Sequence, residues 1–191
     1  DDILIYQGFC KESIRCFKVL LGRLLFPVGF RDKWQVMPVI VGPSGTGKSA
    51  ILKLLKNIVG VGNIGVPSTN RRKDFQFDHL YDKSVVLCDI ADTLPFSKEN
   101  FHKLITGDNI TIKRKYRYTL SKNWEPQLIG ATCYKLPYKH TEDFKKHVIY
   151  FKFPNTVCDS WFVTKKKLIE SAAKLLPALV EEYYNAPFDH D

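Results

Sequence analysis

The eight residues Gly42-Pro43-Ser44-Gly45-Thr46-Gly47-Lys48-Ser49 constrain the fold more than any other stretch of the 191-residue chain. The glycines let the backbone curl until several N–H groups converge on one anion. The apolar run 35–41 precedes them and reads as a short buried strand. A helical pattern follows over 49–59, with Ile51, Leu52, Leu54, Leu55 and Ile58 on one side. Strand, glycine turn and helix form the context in which GxxxxGK[ST] holds phosphate. The helix offers its N-terminus and positive dipole end to the same anion. In that chemistry Lys48 reaches the β- and γ-phosphates and the Ser49 hydroxyl ligates Mg²⁺. All eight residues are therefore candidates for binding ATP with Mg²⁺. The plainer reading is a glycine turn joining a strand to a helix.

Such a loop needs an acid at the tip of another strand to orient the metal or activate water. Asp89 follows Val85-Val86-Leu87-Cys88 and is the candidate metal ligand and catalytic acid; Asp92 lies three residues on. The sequence leaves their division of labour open. A strand-end Asp that caps a turn is the bland alternative.

The rest of the chain supplies a frame. The pattern predicts helices over 7–26, 97–106 (Ser97 as N-cap) and 165–184, the last through Pro177. Apolar strands are expected at 84–89, 127–133 and 148–153. Alternating strands and helices imply an α/β domain with a mostly parallel sheet flanked by helices. We divide it into a helical lead-in (1–34), a core (35–155) and a C-terminal helical segment (156–191).

Residues 109–122 read as a hairpin. Lys113, Arg114, Lys115, Arg117 and Lys122 put five cations in the twelve residues 111–122, with no acid and with Tyr116 and Tyr118 interleaved. Cations neutralise phosphates with little sequence preference, and aromatic faces stack on exposed bases. Lys113, Arg114, Lys115 and Arg117 are thus candidate DNA contacts, presented on one cationic face. A solvated edge strand guarded by charge is the competing reading, with the tyrosines packed on the other face. Arg71-Arg72-Lys73, Lys139-His140 and Lys165-Lys166-Lys167 read as solvent-facing.

Lys and Arg number 29 against 20 Asp and Glu, a formal charge of +9, which favours a polyanionic partner. The hydrophobic fraction of 45% and charged fraction of 26% fit a folded globular chain rather than a disordered one. No apolar run is long enough to span a membrane. The five cysteines are odd in number and show no CxxC spacing. The five histidines have no metal-ligand spacing. A reducing intracellular compartment is expected, and the Asp-Asp start reads as a fragment cut from a longer chain.

The order of these features resembles the ATPase domain of superfamily 3 helicases, especially primase-helicases of large DNA viruses. The resemblance runs over roughly 15–155. LLGRLLFP (Leu20–Pro27) with Asp32-Lys33-Trp34-Gln35 looks like the family's lead-in to the phosphate loop. LITGDNITIKRK (Leu104–Lys115) looks like its basic motif, QLIGATCYKLP (Gln127–Pro137) like its sensor strand, and DFKKHVIYFKF (Asp143–Phe153) like its arginine-containing segment. The resemblance implies an AAA+-like P-loop ATPase working as a DNA helicase in viral-type replication. It implies ATP sites between subunits of a ring, a hexamer by analogy, a pore loop on single-stranded DNA and flanking replication domains. A viral origin would place it in host cytoplasm or nucleus. Two positions depart from the family. Cys133 stands where a polar sensor, commonly Asn, is usual, with Thr132 as a substitute. Lys145-Lys146 stands where a neighbour-facing arginine is usual, bringing charge without the planar fork.

Two other functions fit parts of the sequence. GPSGTGKS also resembles the phosphate loop of guanylate kinases, which suggests a nucleotide kinase. The 41 residues before the loop and the basic hairpin argue against it. The third reading is an ATP-binding assembly module with negligible turnover.

Overall fold

The computed structural model describes residues 2–68, 75–90, 94–133, 146–157 and 165–187. Five strands, β1 (Met37–Val41), β2 (Ile64–Gly65), β3 (Val85–Asp89), β6 (Gln127–Thr132) and β7 (Val148–Lys152), make one parallel sheet in the order β2-β3-β6-β1-β7. β4 (Asn109–Ile112) and β5 (Leu120–Asn123) form a separate antiparallel hairpin. The helices are α1 (Asp2–Tyr6), α2 (Lys11–Arg23), α3 (Lys48–Val59), α4 (Lys98–Thr106) and α5 (Lys165–Tyr184). Among the described residues no helix is long and apolar enough to cross a membrane.

The short apolar runs are strands because parallel strands are covered on both faces. Side chains alternate across the sheet. Val85, Leu87, Ile40, Ile129 and Phe151 face one cluster with Leu4, Phe17, Leu20, Leu55 and Leu179 from the helices. Val86, Cys88, Met37, Val39 and Leu128 face the other, with Phe101 and Leu104 of α4 and with Ile110, Ile112 and Trp124 of the hairpin region.

Three elements differ from expectation. The helix expected over 7–26 is two helices. Gly8, at φ 82, ends α1 in the left-handed region, and its N–H and that of Phe9 return to Ile5 O and Leu4 O. The chain restarts at Lys11, and Pro27 lies beyond the turn that follows Arg23. The hairpin is shorter than expected, and its strands carry Ile110 and Ile112 into the core rather than a cationic face. β2 is unforeseen, because two residues, one of them a glycine, give no periodicity to read. The Ser97 cap is present, its Oγ accepting from Asn100 N at 3.3 Å.

A buried polar knot joins α2, β6 and α5. Arg23, 2% exposed, donates from Nε to both Asp32 oxygens (2.9 and 3.1 Å). Its other nitrogens donate to Val36 O, Trp34 O and Gln127 Oε1. Tyr183 donates its hydroxyl to Asp32 Oδ2, at 2.5 Å. Burial first, then that carboxylate, pushes the Tyr183 hydroxyl pKa up.

α2 and α5 cross at Gly22. A Cβ there would stand 2.1 Å from Leu179 O. Helix propensity alone favours alanine by about 1 kcal/mol, but this backbone approach must open to admit it. We expect Gly22→Ala to lower stability by about 1–3 kcal/mol. A urea titration that finds the variant equal to or better than wild type would show that α5 does not sit on α2 this closely.

Candidate functional site

A parallel sheet gathers its C-terminal strand ends on one edge, and a crevice forms there where neighbouring connections part. β1 lies between β6 and β7, and its end runs into the glycine loop. Gly42 N donates to Thr132 O at 3.2 Å, which fixes the loop's start against β6. Gly45 and Gly47 have φ of 79° and 90°, a region only glycine enters freely. Gly42 has another reason to be glycine, since a Cβ there would lie 2.1 Å from Phe153 O.

Within the loop, Lys48 is buried and its Nζ donates to Gly42 O (2.5 Å) and Pro43 O (2.6 Å). Thr46 is fully buried, with Oγ1 donating to Pro43 O at 3.0 Å. Pro43, Ser44, Gly45 and Ser49 are exposed, the last in the first turn of α3. Asp89 ends β3, is exposed, and pairs with Ala131 of β6, which in turn pairs with Ile40 of β1. The carboxylate strand is therefore two strand spacings from the phosphate-loop strand, about 10 Å. Thr132, buried, and Cys133, exposed, lie at the end of the strand between them.

Asp92 and Lys145 lie outside the described residues, as do Arg71-Arg72-Lys73 and Lys139-His140. Lys146 is exposed just before β7, level with the sheet's opposite edge, and so does not face its own chain's phosphate loop. That edge also roots the hairpin. Trp124 N donates to Asp108 O, Val28 N to Glu125 O and Gln127 N to Ser84 O.

The cations sit on the hairpin's tip, not along a strand. Lys113, Arg114, Lys115 and Arg117 occupy the loop between β4 and β5. Lys122 stays in β5 and pairs with Glu125 at 3.3 Å. Arg114 braces the loop, donating from Nε and a terminal nitrogen to Tyr118 O (3.1 and 3.0 Å). Tyr116, at φ 59, is left-handed, and Lys115 Nζ lies 5.0 Å from its ring centre. Tyr116 and Tyr118 are each 92% exposed, so neither packs on the hairpin's other face.

Sequence reasoning missed a belt around the back of the phosphate loop. Gln7, 3% exposed, donates from Nε2 to Thr46 O (3.1 Å) and Asn155 O (2.7 Å), and its Oε1 accepts from Asn155 N (2.8 Å). Val157 N donates to Gly45 O at 2.9 Å. Tyr6 donates its hydroxyl to Thr156 O at 2.8 Å, and Asn155 Nδ2 donates to Tyr6 O at 2.7 Å. These partners lie far apart in the chain, and no local pattern announces them.

No curated protein matches the sequence. Among solved structures, the apo C-terminal region of NrS-1 superposes with a TM-score of 0.67 at 17% identity, over 99% of this chain and 46% of that one. JCV helicase superposes with a TM-score of 0.57 at 13% identity, over 95% of this chain and 56% of that one. An inhibitor-bound form of JCV helicase gives 0.59 at 14%, over 93% and 51%. The likeness at these identities is one of fold, and the chain spans about half the length of the solved chains it resembles. Residues 40–145 match the model of a family described as "Family of unknown function (DUF5906)". That segment starts within the phosphate-loop strand, contains Asp89, the basic hairpin and β6, and is more than half of the 191 residues, so the chain belongs to DUF5906.

Proposed function

We propose that this chain is the ATP-driven motor of a superfamily 3-type DNA helicase, moving single-stranded DNA in a ring of subunits. One observation carries the reading: the glycine loop, Asp89 and the Thr132-Cys133 strand end meet on one sheet edge, with β6 interposed. Likeness of fold to a protein named as a helicase supports it.

The site's donors fit the expected ligands. The exposed Ser49 hydroxyl and Asp89 carboxylate are hard oxygens of the kind Mg²⁺ takes, together with phosphate and water. Bound there, Mg²⁺ would neutralise phosphate charge. Lys48 leaves two backbone carbonyls to meet the phosphates. Asp92, or Asp89 itself, orients the attacking water. Thr132 and Cys133 flank the γ-phosphate position. Lys145 and Lys146 serve the neighbour's nucleotide, consistent with the place of Lys146 on the edge away from its own loop. Lys113, Arg114, Lys115 and Arg117 line the path of the strand. A larger parent chain would carry the ring and replication segments.

The test is steady-state ATP hydrolysis with and without single-stranded DNA, across protein concentrations because an interfacial site assembles by mass action. Turnover should rise with DNA and with concentration. Lys48→Ala should reduce it by on the order of 10²–10³-fold, the loss typical of removing one group that stabilises transition-state charge. Phosphate transfer to a nucleoside monophosphate would instead favour the kinase reading. Bound ATP without turnover would favour the assembly module, which an exposed thiol in the sensor position also suits.

Thiol labelling gives an independent check. Cys88 is wholly buried, and burial pushes its thiol pKa up, so little thiolate forms. Cys133 and Cys10 are exposed. Iodoacetamide mapping should mark Cys133 and Cys10 in the native protein and Cys88 only after unfolding. Mg-ATP should slow labelling at Cys133 and leave Cys10 unchanged. Equal rates at Cys133 with and without nucleotide would remove it from the site.

A further inference from the structure

Two carbonyls of the phosphate loop are held from behind by residues outside the motif. Val157 N holds Gly45 O at 2.9 Å, and Gln7 Nε2 holds Thr46 O at 3.1 Å. In a trans peptide the C=O and the next N–H point in opposite directions. Fixing these oxygens therefore turns the N–H groups of Thr46 and Gly47 to the other face of the loop. Successive N–H groups sharing one face make an anion-binding nest. Gln7 is not a surface accident. It is 3% exposed, and its carboxamide clasps the backbone of Asn155 through a donor and an acceptor at once. That clasp ties the two carbonyl anchors together. Ile3 of α1 backs the same turn, its Cδ1 only 2.5 Å from where a Cβ on Gly47 would be.

From this we infer that Gln7 is a positioning residue for the phosphate nest: it sets the tilt of the Thr46–Gly47 peptide and so the aim of the Gly47 N–H. The inference rests on the nucleotide reading above and extends it to a residue 35 positions before the loop begins. It explains why a short N-terminal helix lies against the loop at all. It also separates Gln7 from Lys48, which brings charge, whereas Gln7 brings orientation without touching ligand.

The test is equilibrium binding of a fluorescent ATP analogue, with ADP and AMP as competitors, alongside thermal melting. Gln7→Met keeps the side chain's length and removes its polar atoms. It should weaken ATP and ADP by about tenfold and leave AMP unchanged, because the diphosphate is what the nest grips. Tyr6→Phe removes one belt hydrogen bond, to Thr156 O, without touching either anchored carbonyl. It should alter melting alone. If Gln7→Met loosens all three nucleotides equally, or lowers the melting temperature with affinity intact, the residue is structural and the inference fails. Should Gln7→Met not fold, Gln7→Asn, which keeps a carboxamide but draws it back from Thr46 O by one methylene, is judged by the same ratio. Wild-type protein that binds no ATP would overturn the nucleotide reading and the inference with it. Wild-type binding that Lys48→Ala abolishes and Gln7→Met spares would overturn the inference alone.

Discussion

Alanine at Arg23 is expected to lower the free energy of unfolding by about 3–5 kcal/mol, the penalty for stranding one partner of a buried ion pair. Asp32 would keep Trp34 N and the Tyr183 hydroxyl as donors but lose its cation in a site where its side chain is 1% exposed. Val36 O, Trp34 O and Gln127 Oε1 would lose a donor at the same time. Against a typical total of about 5–15 kcal/mol, that leaves a marginal protein. Urea unfolding measures it. Arg23→Met combined with Asp32→Leu should recover part of the loss, since both charges leave together. A single substitution costing under about 1 kcal/mol would mean that the knot is not holding α2, β6 and α5 together.

Removing both tip tyrosines is expected to weaken single-stranded DNA binding at least thirtyfold. Base–aromatic stacking is worth about 1–3 kcal/mol per base, and two such stacks at the low end give that factor. At 92% exposure neither ring supports the fold, so Tyr116→Ala with Tyr118→Ala should change stability by no more than about 0.5 kcal/mol. Lys113, Lys115 and Arg117 are expected to act differently. Replacing all three should flatten the dependence of log affinity on log salt by about 2, at about 0.7 for each phosphate no longer neutralised. Arg114 is kept out of that set because its guanidinium holds Tyr118 O and its removal would reshape the loop. Fluorescence anisotropy with a labelled thymidine oligomer, at several salt concentrations, reads both effects. Unchanged affinity in the tyrosine variant would leave the tip as charge alone.

The sheet is legible in the sequence because its signals are local. Apolar runs such as Val85–Cys88 and Gln127–Thr132 announce buried strands, and GPSGTGKS announces its own turn. Order in the sheet is not, since nothing local says that β6 separates β1 from β3. Gly8 reads as part of a helix because one glycine in an amphipathic run is tolerable. Its positive φ, visible only in the fold, makes it a terminator. The hairpin's cations read as one face of a strand because alternation over 111–118 looks regular. Placing Ile110 and Ile112 in the core uses up the strand, and the remainder becomes loop. Arg23 and Gln7 are invisible as site or core residues. A lone arginine on a helix and a lone glutamine near a terminus look solvated until partners as distant as Gln127 and Asn155 arrive.

The root of the hairpin is laced by backbone hydrogen bonds and by buried side chains. Asp108 O and Trp124 N close it on itself, Glu125 O holds Val28 N of the lead-in, and Ser84 O holds Gln127 N where β3 and β6 begin, while Ile110 and Ile112 are sunk in the core. The tip then behaves as the end of a stiff lever arm. Four residues of strand carry it roughly 13 Å beyond the root, so each 10° of sheet rotation sweeps it through about 2 Å. On the proposed motor reading, the stroke at the tip is set by how far the whole sheet turns against its neighbours.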